Sequence, residues 1–183
     1  MINTELLIQN LISNLGETSS RRGLELTPQR VKNVCGEIYY AYNKPISKTA
    51  KSFDAFGLGV DLIYIKNIVF CSNCEHHMMP FFGTAAVAYV PANLVVGLSK
   101  VVDVLNWYSA RLQSQERLTR QMLNYIKCSL KPKAIMLKLE CKHMCMIARG
   151  VKSACASASS IAYAGLFNVS KTLLVNALNV LET

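Results

Sequence analysis

The segment KAIMLKLECKHMC, residues 133–145, has the clearest strand pattern in the chain. Its apolar and charged residues alternate, as expected for a strand with one face against a core and the other toward solvent. The apolar face would carry Ile135, Leu137, Leu139 and Cys141, and the charged face Lys138, Glu140 and Lys142. Continued alternation predicts that His143 and Cys145 also lie on the apolar face.

Two helices are expected near the N-terminus. Apolar residues at helical spacing predict the first, and they are Ile2, Leu6, Leu7, Leu11, Ile12 and Leu15. A second helix is predicted with Thr27 as its N-cap and Pro28 at its first position, ending near Lys44 and Pro45.

Two strands and two more helices are expected in the middle of the chain. β-branched and aromatic residues predict strands at residues 60–70 and 84–90. A helix capped by Ser99 and a helical run from Glu116 to about Leu130 follow. The resulting order, αα–ββ–αα–ββ–α, predicts an α+β domain with two long helices on one face of an antiparallel sheet. The other face must also be covered, and self-association would do this.

Composition limits the class of protein. With 183 residues, 51% of them apolar, the chain fits one domain with a sizeable core. Its apolar runs are shorter than the ~18 residues of a membrane span, and its N-terminus does not resemble a signal peptide. Seven cysteines, an odd number, favour reduced thiols in a cytosolic protein. The net charge of +9 is scattered, which indicates no nucleic-acid-binding arm and would suit a phosphorylated small molecule.

The histidines are concentrated in two short segments. CSNCEHH at residues 71–77 and CKHMC at residues 141–145 together hold all three histidines and four of the seven cysteines. Thiolates and imidazoles are the ligands that Zn²⁺ prefers. Two such clusters that use every histidine in the chain favour a metal site.

Three arrangements of these side chains are open. A catalytic site would need three ligands and a free position for water. Its ligands would be Cys74, His77 and Cys145, with His76 and His143 left for proton transfer. A closed structural site would instead include Cys71 through its C-x-x-C spacing with Cys74. In the third arrangement these are ordinary buried cysteines and histidines.

Three further segments carry candidate substrate-binding residues, each with a simpler structural explanation. Ser99 and Lys100 open a helix where a phosphate could bind, or they only cap it. Glu116 could accept hydrogen bonds from the N1–H and N2–H₂ groups of guanine, or be part of an acidic first helical turn. Arg149 lies within reach of the metal cleft, or is an ordinary arginine at a strand end.

Taken together, these segments resemble GTP cyclohydrolase I. The matching motifs are RRGLELTPQR at residues 21–30, CEHH at 74–77, PFFG at 80–83, VAYVP at 87–91, GLSK at 97–100, QSQERLT at 113–119, and HMC at 143–145 followed by Arg149 and Gly150. They cover roughly residues 20–167 in the order and with the gaps of the family.

The resemblance implies a fold and an assembly. The family has the tunnelling fold, in which subunits pair antiparallel sheets edge to edge into rings, and two rings stack into a homodecamer with active sites at subunit interfaces. For this chain it implies an N-terminal helical region at residues 1–50 and a tunnelling-fold catalytic domain at residues 51–183. The family reaction converts GTP and water to 7,8-dihydroneopterin triphosphate and formate, which begins tetrahydrofolate or, in animals, tetrahydrobiopterin synthesis.

The resemblance also implies residue roles. The metal ligands, for Zn²⁺, would be Cys74, His77 and Cys145. The catalytic residues would be His143, which protonates N7 of guanine, His76, which shuttles a proton as the ring opens, and Ser99, which assists the later ribose rearrangement. The substrate-binding residues would be Glu116 and Gln115 at the guanine, and Lys100, Arg149 and Arg30 at the triphosphate.

Two positions depart from the family pattern. Asp103 stands where the family commonly has an arginine, and Asn33 stands where it often has a lysine, with Lys32 adjacent. Both changes remove a cation from the expected triphosphate site. They leave open an alternative, a divergent tunnelling-fold enzyme that acts on another purine or pterin.

Overall fold

The structure is a computed structural model that describes residues 3–46, 52–55 and 61–182. Its helices are α1 (Thr4–Asn14), α2 (Thr27–Ile38), α3 (Leu98–Ser109), α4 (Gln115–Leu130), α5 (Met144–Ile147) and α6 (Lys171–Glu182). Its strands are β1 (Ser52–Asp54), β2 (Ile63–Cys74), β3 (Pro80–Val90), β4 (Leu94–Val96), β5 (Leu112–Gln113), β6 (Ala134–His143) and β7 (Ala158–Gly165). Two 3₁₀ turns lie at Tyr40–Tyr42 and Leu166–Asn168.

A five-stranded sheet in the order β5-β2-β3-β6-β7 forms the centre of the fold. The pairs β2–β3, β3–β6 and β6–β7 are antiparallel, and the short β5 runs parallel to β2. β1 and β4 form a separate antiparallel pair. The strand predicted at residues 133–145 is β6, and its four predicted apolar residues, from Ile135 to Cys141, are all buried.

Helices α3 and α4 cover one face of this sheet, as predicted. Val101 and Leu105 of α3 and Leu118 and Met122 of α4 are fully buried against it. Burying one such side chain stabilises the fold by ~1.5–3 kcal/mol. The periodic apolar faces of the two helices therefore explain the α+β layering.

The opposite face of the sheet is covered over one half by α6. Ala177 and Leu181 of α6 pack with Ala88 and Met136 of the sheet and with Phe167. The expectation that self-association covers this face is therefore wrong for that half, because the C-terminal helix supplies the cover. Other apolar side chains on this face are exposed: Val69, Phe82, Ile161 and Tyr163.

Two helix starts differ from the prediction. Leu26 occupies the N-cap position of α2 and Thr27 is already helical, with no side-chain cap bond. Likewise Gly97, in an extended conformation, precedes α3, so Ser99 does not cap it.

The end of α2 also differs. The helix stops at Ile38 instead of near Lys44 and Pro45, because the chain tightens into the 3₁₀ turn at Tyr40–Tyr42. The predicted domain boundary between residues 50 and 51, and the predicted helical position of Ile2, lie outside the described residues. Among the residues that are described, no helix is both long and apolar enough to cross a membrane.

Candidate metal centre and active site

The turn between β2 and β3 presents Cys74 and His77. β2 continues to Cys74, so the strand predicted at residues 60–70 ends four residues later than expected. The Cys74 backbone N–H donates to the Met79 carbonyl at 2.8 Å, and the Met78 N–H donates to the Cys74 carbonyl at 2.8 Å. Met78 adopts φ 54°, a left-handed conformation that closes the turn. These bonds hold Cys74 and His77 on one compact loop.

Cys145 reaches the same place from a helical turn. β6 ends at His143, and Cys145 lies in α5, so the prediction that it continues the strand face is wrong. The short helix nevertheless turns its thiol toward Cys74. Burial, followed by the neighbouring Cys74, raises the pKa of the Cys145 thiol, whereas the Arg149 guanidinium lowers it.

Cys74, His77 and Cys145 form a group that fits a metal ion. Their ligand atoms all lie within 4.8 Å of one another. Zinc–sulfur bonds of about 2.3 Å place two thiolate ligands about 3.8 Å apart in a tetrahedral site, which small side-chain movements would reach. Cys71 does not join the group, because alternation along β2 directs it to the opposite face of the sheet. Two thiols and one imidazole suit zinc and leave a fourth position open.

Two histidines flank this group without belonging to it. His76 is exposed, and its Nδ1 lies 3.6 Å from the Cys74 sulfur. His143 is half-buried at the end of β6, where its ring stacks on Phe81 at a centroid distance of 4.9 Å. Burial lowers the pKa of His143, and the nearby Glu116 carboxylate acts in the opposite direction. Both imidazoles therefore lie beside the metal-ligating group.

The first turn of α4 brings Gln115 and Glu116 to the same site. Ser114 caps the helix by accepting from the Arg117 N–H at 3.2 Å. Glu116 is exposed and close enough to influence His143. Gln115 is buried, and its amide oxygen lies 2.9 Å from Nε2 of His143. Glu116 is therefore the acidic residue of the first turn of α4 and also lies close to the site.

An ion pair that the sequence interpretation missed links α4 to the metal turn. Nη2 of Arg117 lies 2.5 Å from a carboxylate oxygen of Glu75, the residue between Cys74 and His76. The same guanidinium donates to the Leu112 carbonyl and to Oε1 of Gln113. Both residues adjoin candidate site residues in the sequence, which could have drawn attention to each of them. No local sequence pattern, however, indicates that they pair with each other.

Ser99 and Lys100 lie away from this group within one chain. They are in the first turn of α3, whereas its last residue, Ser109, accepts a hydrogen bond from the Ser72 hydroxyl beside the metal strand. At 1.5 Å per residue, Ser99 and Ser109 are separated by about 15 Å along α3. Lys100 is 12% exposed and pairs with Asp103 at 3.4 Å.

The remaining predicted cations occupy different places. Arg149 follows α5 and is close enough to affect the Cys145 thiol. Arg30 is exposed on α2, distant in sequence from the metal turn. Lys32, the cation next to Asn33, is paired with Glu5 of α1 at 2.7 Å.

Known proteins with similar sequences share one description. The family model described as GTP cyclohydrolase I matches residues 4–182. The GTP cyclohydrolase 1 of Rickettsia felis is 38% identical over 162 residues, covering 87% of this chain and 85% of that protein. The GTP cyclohydrolase 1 of Nitrosospira multiformis is 42% identical over 144 residues, covering 78% and 75%.

A solved structure is similar in fold. The archaeosine synthase QueF-Like in the apo form matches with a TM-score of 0.50 and 16% identity, over 58% of this chain and 96% of that one. At this identity the likeness concerns the fold alone, and it agrees with the tunnelling fold expected from the sequence. The extent of the family match, taken with the Cys74, His77 and Cys145 group, means that the chain belongs to the GTP cyclohydrolase I family.

Proposed function

We propose that this protein is a zinc-dependent GTP cyclohydrolase I. It hydrolyses GTP at C8 of guanine and yields 7,8-dihydroneopterin triphosphate and formate. The observation that carries the proposal is the convergence of three metal-ligating side chains, Cys74, His77 and Cys145, beside His143 and within a family of this activity.

Cys74, His77 and Cys145 would hold the zinc ion. When bound, the ion supplies Lewis-acid activation of a water molecule at neutral pH. The choice of zinc rests on the donor set, because two thiols and an imidazole are preferred by zinc over hard cations such as Mg²⁺.

Proton transfer is assigned to the two remaining histidines. His143 would donate a proton to N7 of guanine, which makes C8 more electrophilic. His76 would move a proton as the imidazole ring of the substrate opens and formate leaves. Its exposed ring, beside Cys74, leaves room for this exchange.

Guanine recognition is assigned to the start of α4. The exposed Glu116 carboxylate would accept from the N1–H and N2–H₂ groups of the base. Charge-assisted bonds of this kind discriminate against bases that lack both donors, since the carboxylate would then be left without partners.

The triphosphate site would be completed by a second copy of the chain. Ser99 and Lys100 lie about 15 Å along α3 from the end near the metal turn, so they would serve a neighbouring copy's site. Arg149 and Arg30 would contribute further positive charge. This arrangement supports a homo-oligomer with active sites between subunits, and we propose a homodecamer.

The cellular setting is part of the same proposal. The enzyme would act in the cytoplasm, where all seven cysteines, which are free in the structure, remain reduced. It would begin tetrahydrofolate or tetrahydrobiopterin synthesis. Residues 1–50 would form the helical region and residues 51–183 the catalytic domain.

The direct test is neopterin formation from GTP. Zinc-loaded protein is incubated with GTP, the product is oxidised and dephosphorylated, and fluorescent neopterin is measured together with metal content. We expect turnover with about one zinc per chain, and a large loss of turnover in His76→Ala. Absence of neopterin from metal-loaded wild-type protein would sink the proposal.

A second candidate function is supported by Asp103. Its carboxylate is paired with Lys100, where the proposed activity needs a cation for the triphosphate. A tunnelling-fold enzyme acting on a less charged purine or pterin would tolerate this pair better. Comparing GTP with GMP and guanosine separates the two functions, because only the first function requires the triphosphate for efficient turnover.

A further inference from the structure

We propose that Gln115 is a positioning residue that fixes His143 in a single tautomer. In that tautomer Nε2 carries the hydrogen and points to Gln115, and Nδ1 is the nitrogen left available to the substrate. The inference deepens the proposed function, in which His143 is the proton donor, and it assigns Gln115 a role other than direct contact with guanine.

The orientation of the Gln115 amide is set by two backbone carbonyls. Its Nε2 lies 2.9 Å from the Ala158 carbonyl oxygen and 3.2 Å from the Leu139 carbonyl oxygen. Carbonyl oxygens only accept hydrogen bonds, so both amide hydrogens of Gln115 are used on them. A flipped amide would place its oxygen against two other oxygens. The amide oxygen Oε1 therefore faces His143.

The orientation of the amide determines the tautomer of the histidine. Nε2 of His143 lies 2.9 Å from Oε1 of Gln115. An amide oxygen cannot donate, so the imidazole must donate through an Nε2–H group. In the neutral ring Nδ1 then keeps its lone pair, and in the cationic ring Nδ1 carries the second hydrogen. Nδ1 is therefore the ring nitrogen that this hydrogen bond leaves free.

The plane of the His143 ring is fixed by a different contact. The ring stacks on Phe81 with a centroid distance of 4.9 Å and an interplanar angle of 9°. Phe81 is fully buried in the core, so it provides a firm surface. The stack restrains the ring from tilting, and the hydrogen bond to Gln115, which lies at the edge of the ring, restrains it from turning within its plane.

Gln115 itself is held from its backbone as well as from its side chain. It is 3% exposed, and its carbonyl accepts from the Thr119 hydroxyl at 2.7 Å. The Thr119 hydroxyl also lies 2.7 Å from the Ser160 hydroxyl on β7. Turning the amide toward a substrate would break its buried bonds to Leu139 and Ala158, which favours a supporting role.

The first test is the tautomer in the zinc-loaded wild-type protein. Long-range ¹H–¹⁵N spectra distinguish a protonated from an unprotonated ring nitrogen, and the chain has only three histidines to assign. A His143→Asn variant identifies the signals of His143. We expect an Nε2–H tautomer in the neutral ring. An Nδ1–H tautomer would overturn the proposal whether or not the protein turns over GTP.

The second test compares Gln115→Met with Gln121→Met, the same substitution on the same helix. Both variants remove the amide of a glutamine that is hydrogen-bonded in the wild type, but only the first removes the partner of His143. In Gln115→Met we expect the His143 ring to populate both tautomers. We also expect kcat to fall by about 10- to 100-fold, as when other groups that orient a functional side chain are removed, with little change in KM. Gln121→Met should keep the wild-type kcat and the His143 tautomer, even where its loss of stability equals that of Gln115→Met. A rise in KM for GTP at unchanged kcat in Gln115→Met would contradict the proposal.

Discussion

Arg117 and Glu75 form an ion pair that joins the start of α4 to the turn carrying the metal-ligating residues. The two side chains lie 42 positions apart in sequence, and their charged atoms are 2.5 Å apart. The Glu75 backbone N–H also donates to the Gln113 carbonyl at 2.9 Å. One helix start therefore supports the metal turn through Arg117 and the end of β6 through Gln115.

Replacing Arg117 should weaken metal binding. Arg117→Met removes the partner of Glu75 together with the bonds to Leu112 and Gln113, which loosens the turn that presents Cys74 and His77. We expect zinc affinity to fall about 10-fold, as when groups that orient a ligand are lost. Competition with a chromophoric chelator measures it. Arg120→Met, an exposed change of equal charge on the same helix, is the control. Equal affinities in the two variants would contradict this role.

Removing the metal should change which cysteines react. A bound zinc ion holds Cys74 and Cys145 as ligands and protects them, so a chelator should make both alkylate faster with iodoacetamide. Cys141 should stay unreactive in either state, because it is 1% exposed and burial raises the pKa of its thiol to about 12. The exposed Cys155 should react equally in both states. Mass spectrometry of the digested protein measures each site, and chelator-independent labelling of Cys74 would argue against the metal centre.

The architecture could be predicted from sequence where a repeating pattern reports burial. Alternation in β6 and helical periodicity in α4 gave the right elements, because each buries one face against the same core. Cys145 was placed wrongly, since alternation says nothing about where a strand ends. The cover supplied by α6 was missed for a related reason: a helical pattern does not state which surface it packs on.

The site could be predicted only in part, for the same physical reason. Cys74 and His77 share one turn, so their short spacing was informative. The bonds of Gln115 go to Leu139 and Ala158, which are 24 and 43 positions away. Such contacts depend on how α4 packs against β6 and β7, and no local pattern specifies that packing.

Neutralising Asp103 should strengthen triphosphate binding. Asp103→Asn releases Lys100 from its 3.4 Å pair and removes an anion from the first turns of α3. Because a charge pair at about 4 Å in water is worth ~1 kcal/mol, KM for GTP should fall by up to about fivefold. Steady-state kinetics at low ionic strength measure it, with Asp54→Asn as a control of equal charge on β1. An unchanged or higher KM would mean that Asp103 does not oppose the triphosphate.

Adding one methyl group at Gly83 should disrupt the sheet beside the site. A Cβ there would lie 1.8 Å from the Glu140 carbonyl oxygen, so β3 and β6 could not stay paired. We expect Gly83→Ala to lower the free energy of unfolding by about 3 kcal/mol. Gly36→Ala is the matched control, because that glycine is inside α2 and faces open space. The control should gain about 0.5–1 kcal/mol. Urea unfolding at fixed protein concentration compares them, and equal effects would refute the close approach.

Alkaline conditions should destabilise the protein partly through Tyr89. This side chain is fully buried, and its hydroxyl accepts from the Val96 N–H at 3.2 Å. Burial raises the pKa of Tyr89, and the bond from Val96 lowers it less. Its folded-state pKa therefore lies above the unfolded value of about 10, so its contribution to stability is complete below pH ~10 and is lost as pH rises further.

Tyr89→Phe should separate this effect from other alkaline changes. At pH 7 the variant should be less stable by ~1 kcal/mol, because the buried Val96 N–H loses its acceptor. Between pH 9 and 11, however, its Tm should fall less steeply than that of the wild type, because the variant has no Tyr89 hydroxyl left to ionise on unfolding. Tyr163→Phe, at an exposed position, should keep the wild-type slope. Parallel curves of Tm against pH for Tyr89→Phe and the wild type would show that ionisation of Tyr89 is not linked to unfolding.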